Sequence, residues 1–258
     1  MFFRLSLGPR WLGASLALAA VVTVLAPTAV YAQRGGRGGA PATARDGAAL
    51  DLTGYWVSVI TEDWKYRMVT PKKGIFDAIP LNAEGRKVGQ AWDPARDEAA
   101  GEACRPYGAA ALMRMPTRLN ITWENPNTLR VDTDAGTQTR RLQFGSAPAA
   151  TERTWQGHSS AVWEYATAGR GGERRGNLKV VTTNLRPGYL RRNGVPYSDQ
   201  ARVTEYWDVN TLPNGDRWLT ITTQVDDPVY LTRAYITTSD FKKLPDATGW
   251  NPTPCSAH

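Results

Sequence analysis

Near neutral pH, proton transfer and metal binding fall first to histidine. This chain has two, His158 and the final residue, His258. His158 sits in "TWQGHSSAVWEYA", Thr154 to Ala166, a stretch that also carries Glu164. A histidine acting as general base or acid works best with an orienting or charged partner within hydrogen-bond reach. Glu164 is not that partner, because six residues of extended strand span about 20 Å. Partners must come from elsewhere, and the candidates are Glu205, Asp227 and the segment "RPGYLRRNGVPYSDQ", Arg186 to Gln200. That segment joins two expected strands, is longer than a hairpin needs, and brings Tyr189, Tyr197 and Asp199. The expected catalytic set is His158, Glu205 and Tyr197. Plainer readings stand beside it: His158 fixing a strand end, Glu164 and Glu205 paired with arginines, and Asp227-Pro228 shaping a turn.

Ten tryptophans and ten tyrosines are the second resource for a site. Aromatic side chains line pockets for planar or apolar ligands, or rigidify a core. The ligand-binding expectation falls on Trp123, Trp163, Glu164, Tyr189 and Trp207. No Gly-x-Ser-x-Gly elbow, His-Glu-x-x-His helix, phosphate loop or dinucleotide fingerprint is present. No cofactor and no metal is therefore expected. Two histidines exclude a histidine-rich metal centre, while a carboxylate site stays open.

The elements that must position these residues begin after a leader. Residues 1–32 read as a secretory signal: Arg4 and Arg10, then the apolar run "WLGASLALAAVVTVLAP", then "VYA" at the cleavage positions. The apolar run is close to spanning length, so an uncleaved anchor is the alternative. After cleavage no stable membrane span remains, and the expected location is periplasmic or secreted. Residues 33–50 form a flexible Gly/Ala/Pro-rich leader, and 51–258 a single domain. The net charge of +7 falls by the two signal arginines. A mildly basic exported chain without a binding motif is a poor nucleic-acid partner.

Two cysteines, Cys104 and Cys255, lie in the exported part. An even pair in an oxidising compartment favours a disulfide over two free thiols or a two-cysteine zinc site. From Leu52 onward, short runs rich in Val, Ile, Thr, Tyr and Trp recur between turn signals. The expected strands are Gly54–Thr61, Lys65–Val69, Arg118–Glu124, Thr128–Thr133, Thr137–Phe144, His158–Ala166, Leu178–Asn184, Arg202–Asp208, Arg217–Val225 and Tyr230–Thr237. The connections "ENPN", "DAG", "GRGGERRG" and "LPNGDR" look like hairpin turns. An insertion over about 71–115 holds one or two short helices, started by Asn82 or Asp93. The fold class is mainly β, an antiparallel up-and-down barrel with a short helical insertion.

Two resemblances sharpen this. "DLTGYWVSV" resembles the Gly-x-Trp opening strand of lipocalins, carried by Gly54 and Trp56. In that fold the tryptophan plugs the closed end, and a disulfide often tethers the C-terminal tail, as Cys104–Cys255 would. "TWQGHSSAVWE", "GNLKVVTTN", "NGVPYSDQARVTEYWD" and "VDDPVYLTRAY" occur in that order, after "GEACRPYGAAALMRMP". Together they resemble a group of uncharacterised exported bacterial proteins with a lipocalin-like barrel. The matching residues are Trp155, Gly157, His158, Ser159, Trp163, Glu164, Thr182, Thr183, Pro196, Ser198, Glu205, Asp227 and Pro228. The chain departs at Tyr197, where the group commonly has histidine, and at Tyr206 and Trp207, in place of arginine and phenylalanine. The resemblance implies fold and export, not a reaction.

The leading expectation is an exported barrel whose lumen binds a small apolar or aromatic metabolite. The alternatives are a cofactor-independent isomerase, cyclase or lyase using His158 and a lumen carboxylate, and an envelope protein-interaction module with a filled barrel.

Overall fold

A computed structural model describes residues 43–146, 151–166 and 176–257. The signal segment, most of the leader, His258 and all but the last glycine of "GRGGERRG" lie outside the described residues. The domain opens with β1 (Gly54–Val59), followed by an insertion holding α1 (Trp64–Arg67), α2 (Ala83–Gln90) and α3 (Pro94–Ala99). Next come β2 (Arg118–Asn125), β3 (Thr128–Thr133), β4 (Thr139–Phe144), β5 (His158–Tyr165) and β6 (Gly176–Thr183). A short pair, β7 (Gly188–Arg191) and β8 (Val195–Tyr197), precedes β9 (Arg202–Thr211), β10 (Arg217–Asp226) and β11 (Tyr235–Lys243).

The long strands close into a barrel in the order β1-β11-β10-β9-β6-β5-β4-β3-β2, and β7 and β8 form a separate two-stranded sheet. This is the expected up-and-down order with one exception, the parallel pair β4–β5. Nine strands cannot alternate direction all the way round a closed ring. One pair must run the same way, and here it is β4 and β5.

Period-two alternation decides which side chains point inward. On β10, Leu219, Ile221, Thr223 and Val225 are buried; on β9, Val203, Glu205 and Trp207. Around mid-barrel Trp56, Leu119, Val131, Leu142, Leu178, Val180, Trp207, Ile221 and Phe241 retain no exposed surface. A void large enough for water leaves its walls accessible, so the middle of this barrel is filled by side chains. The expectation of a ligand in the lumen narrows to the barrel's ends. Trp56 is part of the plug: its indole N–H donates to the Leu52 carbonyl at 2.9 Å, and Lys243 Nζ lies 4.6 Å from its ring centre.

One barrel end is sealed by a second apolar cluster that includes Ile79, Leu81, Ala110, Leu190, Val195 and Tyr197. The helical insertion and β7–β8 together build this cap, so the insertion covers a barrel mouth rather than a sheet face. Asn82 and Asp93 start its longer helices as expected, accepting from Gly85 N at 2.8 Å and Ala95 N at 3.1 Å. Tyr197 is packed so tightly that a Cβ on either Gly108 or Gly188 would collide with its hydroxyl.

Four local expectations are corrected. Lys65–Val69 is not a strand but contains the α1 turn, with Met68 N donating to Trp64 O at 2.8 Å. The last strand starts at Tyr235 rather than Tyr230, because Asp227 holds the preceding residues in a turn: its carboxylate accepts from Val229 N at 2.9 Å. Arg186–Gln200 is not a plain loop, since it forms β7 and β8. Residues 43–50, read as flexible leader, pack on the barrel: Arg45 N donates to Pro126 O at 3.0 Å and Leu50 joins the core margin. The C-terminal tail runs outside β1 and β2, with Trp250 edge-on to Tyr55, and ends in the expected disulfide, Cys104–Cys255.

Candidate functional site

The expected catalytic set is not brought together. Ser159 bonds Thr182 inside the barrel at 2.8 Å, so its neighbour His158 points out of the wall. The His158 ring meets only the Ser160 hydroxyl, at 3.4 Å, among the described residues. Glu205 points inward and is wholly buried. Its oxygens accept from Arg140 Nη1 at 2.9 Å and Nη2 at 2.6 Å, a bidentate pair. Tyr197 lies in the cap cluster, and its hydroxyl has no hydrogen-bond partner among the described residues. A barrel wall separates His158 from Glu205, so the general acid–base reading of these residues is withdrawn on geometry.

The expected ligand residues divide. Glu164 is on the outer face of β5, paired with Lys179 at 3.4 Å. Tyr189 belongs to the cap, donating to Asp97 Oδ2 at 2.6 Å while Arg105 lies over its ring. Burial is the main cause that pushes its phenol well above the usual tyrosine range, and Asp97 adds to it. Trp207 is sealed in mid-barrel. Trp123 and Trp163 do meet, through a residue the sequence did not single out. Phe144 lies 5.6 Å from Trp123 and 5.4 Å from Trp163, stacked on the latter.

This ladder stands at the end opposite the cap, where, among the described residues, β5 runs on past β4. β4 stops at Phe144, which pairs Ala161, whereas β5 continues to Tyr165. Residues 43–47 lean against that overhang: Trp163 Nε1 donates to Ala44 O at 2.8 Å, Tyr165 OH to Gly47 O at 2.6 Å. A cleft of about 370 Å³ remains, with Phe144, Ala161, Val162, Trp163 and Tyr165 supplying its apolar lining. Asn127 and Thr43 add polar edges, and none of the described residues lining it is charged at neutral pH. Its size falls within the range of small-molecule sites, which join apolar walls to a few polar groups. The signal for residues 43–47 was the Thr43-x-x-Asp46 spacing, which forms a small turn with Thr43 Oγ1 bonded to Asp46 at 2.8 Å.

Comparison with family models, curated proteins and solved structures finds no match to this chain. The class of protein is therefore set by architecture alone: a closed, mostly antiparallel, lipocalin-like β-barrel with one end capped.

Proposed function

We propose that this is an exported binding protein of the lipocalin-like group its motifs resemble, which holds a small, neutral, apolar or aromatic molecule. The ligand sits in the cleft at the barrel end opposite the cap rather than in mid-lumen. The observation that carries the reading is the stacked Phe144–Trp163 pair forming the wall of an uncharged cleft. A planar ligand extends such a stack, gaining about 0.5–1.5 kcal/mol beyond area burial for each aromatic contact. Trp163 supplies an optical reporter, because a ligand on its face alters its fluorescence.

The test is a fluorescence titration of the full chain with neutral aromatic compounds, comparing the native protein with Val162→Asp. Val162 lines the cleft and is 52 % exposed, so the charge is tolerated by the fold. Binding weakened at least tenfold, with thermal stability nearly unchanged, is the expected result. Equal binding by the variant, or no quenching by any compound, would remove the proposal. Native mass spectrometry of protein purified from its own host identifies the ligand.

The interaction-module reading retains one specific support. Trp64, Met68 and Val69 project from the α1 region at 67, 54 and 67 % exposure, unusual for apolar residues so close in sequence. Cross-linking to an envelope protein that is lost in Trp64→Ser would favour it.

A further inference from the structure

The outer side of the cap carries an apolar and basic face. Between Trp64 and Asp77 the sequence "WKYRMVTPKKGIFD" has four basic residues and one acid. The α1 turn divides these residues between two sides. Met68 N donates to Trp64 O at 2.8 Å, so Trp64 and Met68, four residues apart, share the exposed side. Arg67 turns inward and is buried, its Nε donating to the Arg114 carbonyl at 2.9 Å. Tyr66 is held through its hydroxyl, which donates to Asp77 Oδ2 at 2.7 Å.

The rest of the segment is gathered beside this turn. Arg191, on β7, lies 4.6 Å from the Tyr66 ring centre and donates to the Asp77 carbonyl at 2.9 Å. Asn193 Nδ2, in the turn after β7, donates to the Lys72 and Ile75 carbonyls at 3.1 and 2.9 Å. Those bonds hold Lys72, Lys73 and Ile75 near α1, while Phe76 enters the cap's apolar cluster. Trp64, Met68, Val69 and Ile75 are all exposed, and so are Lys65, Lys72 and Lys73. Among the described residues no hydrogen bond or ion pair engages these three ammonium groups, and Lys65 lies only over the Tyr66 ring. The neighbouring acids are engaged elsewhere, Glu62 and Asp63 by Arg114 and Asp77 by Tyr66.

We propose that this face docks on the surface of an anionic phospholipid bilayer. Trp64, Met68, Val69 and Ile75 enter the headgroup layer, and Lys65, Lys72 and Lys73 meet lipid phosphates. Tryptophan favours the membrane interface, and lysine carries its charge to the headgroups while its stem lies along apolar surface. Protruding apolar residues set among lysines combine the two attractions that hold a protein on such a layer. A protein partner fits less well, because protein interfaces are depleted in lysine. The excess positive charge of the face complements anionic lipid and gains nothing from a neutral one. This docking goes beyond ligand binding in the aromatic cleft and does not depend on it.

The test places a polarity-sensitive dye on Val69→Cys in the full chain. Cys104 and Cys255 are bonded to each other, so the added thiol alone takes the label. A control carries the dye at Ser160→Cys, exposed on the outer face of β5. Vesicles of phosphatidylcholine with about one third phosphatidylglycerol are expected to shift the Val69 dye to the blue and leave the Ser160 dye unchanged. Vesicles of phosphatidylcholine alone shift it much less. Lys72→Glu with Lys73→Glu weakens the partition read from the dye about twentyfold or more, because each lysine at an anionic surface is worth about a fivefold factor. Both lysines are exposed, so thermal unfolding of that variant should match the native chain. No shift at Val69, an equal shift at Ser160, or equal partition to the neutral vesicles would overturn the docking. A cross-link from Val69→Cys to a protein, without any response to vesicles, would give the face to a protein partner and overturn it as well.

Discussion

Arg140 on β4 and Glu205 on β9 face each other across the barrel interior as a bidentate ion pair with neither side chain exposed. Arg140 Nη2 also lies 3.3 Å from Thr182 Oγ1, which bonds Ser159, so a polar thread crosses an apolar core. A charge pair taken out of water gains little net stability, but breaking it leaves the survivor uncompensated. Glu205→Ala is therefore expected to cost about 3–5 kcal/mol in urea unfolding. Glu205→Leu combined with Arg140→Met recovers most of that loss, because apolar residues of similar volume fill the same space. A single-variant cost below about 1 kcal/mol would mean that the pair is hydrated and the lumen is not closed.

His158→Ala is the counterpart. The ring points away from the lumen and makes one long contact to Ser160. Removing it is expected to change stability by no more than about 0.5 kcal/mol. Ligand binding in the cleft should be unaltered, because the cleft lining excludes His158. A tenfold loss of binding in this variant would return the histidine to the site.

The strand positions were legible because their alternation is local. On β10 the inward set Leu219, Ile221 and Val225 can be read from the sequence without a structure. The pairing of Glu205 was not, since Arg140 becomes its neighbour only after β4, β5, β6 and β9 are in register round the barrel. Lys65–Val69 carries strand-like residues, yet it turns helically around the capture of Arg67 by the Arg114 carbonyl. Several residues of the family-like motifs have structural tasks. Gly157 sits at φ +59 where a Cβ would strike the Thr183 carbonyl, and Asp227 holds Ser198 through both N–H and hydroxyl. Such residues mark a fold and leave the ligand unstated. The cleft escaped notice because it arises from β5 outrunning β4, a length mismatch between strands separated by a crossover.

The disulfide gives a third prediction. Cys104 and Cys255 are 151 residues apart, and the bond pins a tail that otherwise lies along the outside of β1 and β2. Closing so long a loop contributes about 3–5 kcal/mol in the chain-entropy account. Reduction, or Cys104→Ser with Cys255→Ser, is expected to lower Tm markedly while leaving the barrel's far-ultraviolet signal below the transition unchanged. Intact-mass analysis showing two free thiols in exported, non-reduced protein would contradict the pairing.

Alkaline titration offers a fourth. Tyr197 and Tyr189 are both held in the protonated state, chiefly by burial, so their folded-state pKa values lie well above the ordinary tyrosine value of 10.0. In the unfolded chain both ionise near that value. The folded state therefore binds more protons above it, and stability falls as pH rises from there. Below about pH 10 this contribution is fully present. Absorbance at alkaline pH should show most phenols ionising reversibly and at least two resisting until the chain unfolds. Tyr197→Phe removes a hydroxyl that has no hydrogen-bond partner among the described residues, so it is expected to keep or raise stability at neutral pH and to move alkaline unfolding upward. A variant that unfolds at lower pH than the native chain would show instead that the hydroxyl is bonded in solution.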